Sequence, residues 1–195
     1  MAMAKALLVN AAVDMGAADI PNNNEGWGRV DITRVIQPAA QAAYLDQETV
    51  FTGTGQQATL DFVIADPGQP LRITLAWSDA PGAAGANPAL VNDLDLEVVH
   101  GAQTYRGNVF SAGTSVPGGV ADGLNNLENV YLATPAAGAV TVTITATSIG
   151  GDAVPYNGFP TDQDFALVCF NCRSSAIFSD GFESEDTSQW SFSTP

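Results

Sequence analysis

Basic residues are scarce in this sequence. Lys5 is its single lysine, His100 its single histidine, and five arginines are scattered along it; against 21 acidic residues this gives 195 residues a formal charge of −15. A nucleic-acid binder needs basic side chains to neutralise phosphates, and an anionic membrane surface repels a chain of this sign. Neither partner fits. Charged residues of both signs make up only 14% of the chain, short of the roughly 25% usual in soluble domains. Hydrophobic residues nevertheless reach 46%, which separates the chain from acidic disordered segments. No apolar run is long enough to span a bilayer. The opening Met1-Ala2-Met3-Ala4-Lys5-Ala6-Leu7-Leu8-Val9 looks like an export signal, but the run breaks at Asn10 with no processing site. Few lysines, abundant Thr, Gly and Asp, and two close cysteines point to a secreted or cell-surface protein, with the export signal expected from elsewhere.

What is present divides the chain in three. Residues 2–14 predict a short helix, with Ala4, Leu7, Leu8 and Ala11 sharing a face and Asp14 and Gly16 at its end. Its outer face is almost as apolar as its inner one. Such a helix is normally buried on several sides, and nothing nearby in the chain looks large enough to cover it. The expectation is a weakly held segment with one exposed flank, whose removal (residues 1–37) leaves a more soluble β-domain. Asp31 is placed to cap a second short helix running to Ile36, stopped by Pro38. From about residue 43, Thr/Val/Ile/Leu segments alternate with Gly/Pro/Asn/Asp clusters. Strands are predicted near 49–52, 57–64, 70–77, 92–99, 103–106, 127–132, 138–147 and 163–170; Val140-Thr141-Val142-Thr143-Ile144-Thr145 alternates strictly. About eight short strands with no helix between them predict a mainly β chain, an antiparallel β-sandwich or jelly roll preceded by one or two short helices. The predicted divisions are 1–38, a β-sandwich over 39–172, and an acidic, aromatic, loosely ordered tail over 173–195.

The densest acidic constellation joins Asp79, in Trp77-Ser78-Asp79, to Asn92-Asp93-Leu94-Asp95. On a strand, Asp93 and Asp95 share one face and Asn92, Leu94 and Leu96 the other. Paired carboxylates repel, and hard oxygen ligands converging from a strand end and a loop suit calcium better than magnesium. The alternative is a solvated polar face. A second polar cluster, Asp122-Gly123-Leu124-Asn125-Asn126-Leu127-Glu128, reads as an Asx-rich turn entering a strand or as a calcium loop without the EF-hand pattern.

Gly113-Thr114-Ser115 echoes the nucleophile motif of subtilisin-like peptidases. A nucleophilic serine needs a base within hydrogen-bond reach, and nothing around His100 prepares one. Cys169-Phe170-Asn171-Cys172 ends a predicted strand rather than opening a helix, which argues against redox use, and zinc lacks further soft ligands. A local structural disulfide is the first choice and free thiols the second.

Four motifs in one order resemble the C-terminal β-domain of secreted bacterial subtilisin-like serine peptidases (subtilases), a jelly roll similar to the P-domain of kexin-like convertases. They are Trp77-Ser78-Asp79-Ala80-Pro81, Leu90-Val91-Asn92-Asp93-Leu94-Asp95-Leu96, Tyr105-Arg106-Gly107-Asn108 and Asn125-Asn126-Leu127-Glu128-Asn129-Val130. Lys5-Ala6-Leu7-Leu8-Val9-Asn10-Ala11-Ala12 and Asn24-Glu25-Gly26-Trp27-Gly28-Arg29-Val30-Asp31 resemble the end of the catalytic domain of the same enzymes. The resemblance spans about residues 1–170. In the family the triad precedes the helix with which this chain begins, so the resemblance implies a peptidase family while leaving this chain without catalytic residues. It implies a non-catalytic accessory domain whose partner is the catalytic domain, with calcium carried by Asp79, Asp93 and Asp95 and, more weakly, by Asn92, Asp122 and Glu128. An independent extracellular module binding protein or glycan is the alternative. The tail around Asp180-Gly181-Phe182-Glu183-Ser184 is similar to short C-terminal segments of many secreted bacterial proteins, with Glu185 where glycine is usual.

Overall fold

The computed structural model describes residues 1–174; the predicted tail lies outside the described residues apart from its first two positions. The element order is α1 (Ala2–Asn10), α2 (Ile32–Ile36), β1 (Ala42–Phe51), β2 (Gln57–Ile64), β3 (Leu71–Ala76), β4 (Asn92–His100), β5 (Gln103–Arg106), β6 (Phe110–Ser111), β7 (Thr114–Ser115), β8 (Leu127–Leu132), β9 (Ala139–Ile149), β10 (Gln163–Phe170) and β11 (Cys172–Ser174). Two antiparallel sheets, ordered β1-β10-β3-β8 and β11-β2-β9-β4-β5, form a β-sandwich; β6 and β7 make a small hairpin. All eight expected strands are present, and β6, β7 and β11 add two- and three-residue pieces. The first strand begins earlier than predicted. Ala42 and Ala43 have little strand preference of their own but pair with Phe170 and Cys169 of β10.

The core between the sheets is built from alternate strand residues. Leu71, Ile73 and Leu75 face Leu94, Leu96, Val98, Val142 and Ile144, all essentially without solvent contact. Phe51 stacks on Phe165 at 5.5 Å. The Trp77 indole N–H donates to the Asn92 carbonyl at 3.0 Å, so the widest core side chain also ties the end of β3 to the start of β4. The chain passes from one sheet to the other at Asn171, where φ is +68°. Its side chain accepts from the Asp66 N–H and donates to the Asp66 and Gln69 carbonyls. Cys169 and Cys172 flank that corner and are disulfide-bonded, in agreement with the first choice from sequence.

The expectation for the N-terminal segment is corrected in the length of the helix and in its covering, while the exposed flank is present as expected. The helix ends at Asn10, not near residue 14, and it is covered: α1 lies on the outer face of the first sheet, with Ala6 against Ala76, Leu127 and Val168. Ala2, Ala6 and Asn10 recur every four residues and form the buried stripe. Small side chains let helix and sheet approach closely. Asn10 closes the stripe, its amide donating to the Arg72 carbonyl and the Thr74 hydroxyl at 3.0 Å each. In return the Arg72 guanidinium donates to the carbonyls of Asn10 and Ala12 at 3.0 and 2.7 Å, satisfying the end of the helix, and sits 4.6 Å over the Tyr131 ring. The Tyr131 hydroxyl donates to the Val9 carbonyl. What stays open is the opposite flank, where Leu8 is 38% exposed. The second helix is as predicted, with the Asp31 carboxylate accepting from the Thr33 N–H. Among the described residues no helix is long and apolar enough to cross a membrane.

Candidate metal centre

Strand β4 alternates as its sequence requires. Asn92, Leu94 and Leu96 are buried and Asp93 and Asp95 lie half-buried on the other face. The pairing of β4 with β9 slips between Asp93↔Ser148 and Leu94↔Ala146, so Thr147 is an extra residue. Its hydroxyl donates to Asp95 Oδ2.

The neighbouring carboxylate comes from the other sheet. Strand β5 stops at Arg106; the Leu96 carbonyl still receives the Gly107 N–H at 2.9 Å, but the Leu96 N–H is left without a strand partner. Glu128 Oε2 accepts it at 2.7 Å, which draws this glutamate into a fully buried position. Close approach of Gly107 is what makes room. A Cβ there would lie on the Glu128 carboxylate and 2.7 Å from the Glu128 Cβ. Gly107→Ala is therefore expected to cost about 1–3 kcal/mol through overpacking, measurable by denaturant unfolding, with Gly53→Ala as a comparison at a position with open space and no left-handed backbone.

Asp122 completes the group from the loop before β8. Its Oδ1 accepts from the Leu124 N–H, making the predicted Asx turn, and its Oδ2 accepts from the amides of Asn108 and Asn125 at 2.6 and 2.7 Å.

The electrostatics of this group are unbalanced. Burial first, then Asp95, Asp122 and Asp93, push the Glu128 carboxyl up to about 9, against the Leu96 N–H that lowers it. Burial, then Asp95, Asp122 and Asp79, push Asp93 up to about 6. Asp93 Oδ1, Asp95 Oδ1 and Glu128 Oε1 are shielded from solvent and have no hydrogen-bond partner. Three orphaned carboxylate oxygens in one neighbourhood carry a desolvation cost that only a proton or a cation offsets. The donor set is all oxygen, the chemistry of a hard cation such as calcium.

Two of the residues singled out from sequence serve differently. Asp79 accepts three backbone N–H bonds, from Ala80, Val91 and Asn92, at 2.8–2.9 Å, and so clamps the two ends of the 80–91 loop. Asn92 is fully buried. Its oxygen accepts from the N–H groups of Gly150 and Gly151 and its amide donates to Gly151, Asp162 and Gln163. These two frame the site, and Asp93, Asp95, Asp122 and Glu128 are near enough to act on one another electrostatically, although no three of them bring their oxygens within 4.8 Å of one another. Among the described residues one acidic group brings its oxygens within 4.8 Å of one another: Asp14, Asp19 and Glu25. It could hold a metal, and sequence reading missed it because the three lie in a turn-rich loop with no period. Glu25 there already accepts from the Met15 N–H and the Asn22 amide. Asp14 Oδ1 is likewise buried without a partner; the β4–β8 group is more widely spread but leaves three such oxygens, on Asp93, Asp95 and Glu128.

Ser115 is buried, and its Oγ accepts from the Tyr131 N–H at 2.9 Å. His100 sits at the far end of β4 with Nδ1 2.9 Å from the Ala139 carbonyl. No protein-family model matches the chain, and no curated protein matches it.

Proposed function

We propose that this chain is a non-catalytic accessory β-domain of a secreted subtilisin-like serine endopeptidase, with the last elements of the catalytic domain packed on it, and that calcium held by Asp93, Asp95, Asp122 and Glu128 stabilises it. The observation that carries the metal half is the set of orphaned, buried oxygens on Asp93, Asp95 and Glu128. The four motifs shared with subtilase β-domains carry the accessory role. The Cys169–Cys172 disulfide is compatible with an oxidising, extracellular setting. The oxyanion chemistry and triad of the family have no counterpart residues here, and engagement of Ser115 with the Tyr131 backbone supports a structural role for that serine.

The purified chain is accordingly expected to leave casein intact and to resist labelling by a serine-reactive fluorophosphonate. Hydrolysis that disappears in Ser115→Ala, or label found on Ser115, overturns the accessory reading.

A further inference from the structure

The segment between β5 and β8 touches both the acidic group and the N-terminal segment. At its ends, Asn108 is stitched to β8. Its N–H donates to the Asn129 carbonyl, its side-chain oxygen accepts from the Asn129 N–H, and its amide reaches both the Leu127 carbonyl and Asp122. From this frame β6 and β7 project towards the N-terminus. Phe110 meets Trp27 edge-on at 5.4 Å and Tyr131 at 5.5 Å. Gly113, at φ +75°, passes so close to Ala18 that a Cβ would be 3.1 Å from its backbone. On the near side, Lys5 Nζ donates to the Asn126 side chain at 2.5 Å and to its carbonyl at 3.1 Å. A groove of about 410 Å³ has Lys5, Pro21 and Trp27 on one wall and Asn108, Asp122 and Asn126 on the other.

We infer that cation binding at Asp93, Asp95, Asp122 and Glu128 and docking of residues 1–38 on the sandwich are one linked equilibrium, transmitted by segment 107–128. The inference rests on the calcium reading above. Two of the four carboxylates, Asp122 and Glu128, bracket Asn126, the residue that receives Lys5. Without a cation, holding these carboxyl groups together with Asp93 and Asp95 costs either repulsion or the uptake of protons, and that cost works against the conformation in which Asn126 and Phe110 meet the N-terminal segment. A cation removes that cost. The coupling is therefore a free energy shared by two sites, and it acts equally in both directions. A subtilase built this way would have its catalytic and β-domains latched by calcium.

The test uses the full chain and calcium alone. Calcium affinity is measured by titration calorimetry in wild type, in Trp27→Ala, in Lys5→Met and in Val50→Ala, a substitution at a half-exposed position on β1. Loss of docking contacts is expected to weaken calcium binding by about tenfold in the first two variants and to leave Val50→Ala at the wild-type value. Circular dichroism identifies a variant that fails to fold, and Lys5→Met, which removes one flexible side chain, keeps the comparison available. In the wild type, amide exchange across α1 should slow on adding calcium by a larger factor than exchange in β2. Calcium binding of unchanged affinity in both N-terminal variants overturns the coupling and leaves the metal site standing. No calcium binding to the wild type overturns both.

Discussion

Glu128→Gln is expected to stabilise the chain in chelator and to destabilise it in calcium. The glutamine keeps an oxygen for the Leu96 N–H, which now meets Glu128 Oε2 at 2.7 Å. It replaces the unpartnered Oε1 by an amide donor in the field of Asp93 and Asp95, and it removes a carboxyl that must take up a proton when the chain folds near neutral pH. In the metal-free protein each of these changes is favourable. With calcium bound, the same substitution deletes an anionic ligand. At a hundredfold excess over its dissociation constant calcium contributes about 2.7 kcal/mol, which for a chain of this size raises the melting temperature by about 5–10 °C. That increment should be mostly lost in Glu128→Gln and in Asp93→Asn. Melting in chelator and in millimolar calcium checks the inversion of sign; a Gln variant destabilised equally in both media contradicts it.

The metal-free protein should also show an unusual pH profile. The folded-state value of Glu128, about 9, lies above its ordinary 4.5, and that of Asp93, about 6, lies above 3.8. Between those limits the native state keeps protons that the unfolded state has lost. Stability from these groups is complete below the unfolded values and is lost as pH rises towards 6 for Asp93 and 9 for Glu128. For Glu128 the slope approaches about 1.4 kcal/mol per pH unit where a whole proton is differential. Melting in chelator should fall from pH 5 to pH 8, and calcium, which favours the ionised carboxylates, should flatten or reverse the fall.

The second large effect concerns residues 1–37. The sequence alone suggests that deleting them frees a more soluble β-domain, and the packing reverses that expectation. Deletion would uncover Ala76, Leu127 and Val168. It would also strip Thr74 and the carbonyls of Arg72 and Val168 of the Asn10 amide. An apolar sheet face with unsatisfied polar groups at its centre favours aggregation. The truncated chain is expected in inclusion bodies or as soluble oligomers, and Asn10→Ala in the full chain should cost about 2–4 kcal/mol. A monomeric truncated chain that melts with the full-length protein, as seen by size exclusion and calorimetry, would show the face to be self-sufficient.

The contrast between those two regions explains what the sequence made legible. Strand positions followed from local pattern because β4 and β9 have one buried and one wetter face, so period two is written into Asn92-Asp93-Leu94-Asp95-Leu96 and 140–145. The carboxylate pair on β4 followed from the same period. The place of α1 did not. Its partner surface is the outer face of β10, β3 and β8, which are buried on both sides; β10 accordingly loses alternation, whereas β3 keeps it as Leu71-Arg72-Ile73-Thr74-Leu75 and so reads like a strand with one wetter face. The continuous run Phe165-Ala166-Leu167-Val168-Cys169 was the signal of a covered outer face. Glu128 ranked below Asp79 because sequence shows residue type and not pairing. Asp79 proves to have three backbone donors, whereas Glu128 is drawn inward by a single N–H left where β5 stops. Which carboxylate is satisfied and which is stranded depends on strand ends, a property of the assembled sheets.

Direct binding tests the central claim most simply. Calcium titrated calorimetrically into the chelator-stripped chain should give saturable binding that is abolished or greatly weakened in Glu128→Gln and retained in Asp14→Asn. Absence of saturable binding to the wild type, or binding that survives in Glu128→Gln but is lost in Asp14→Asn, would contradict a cation site between β4 and β8.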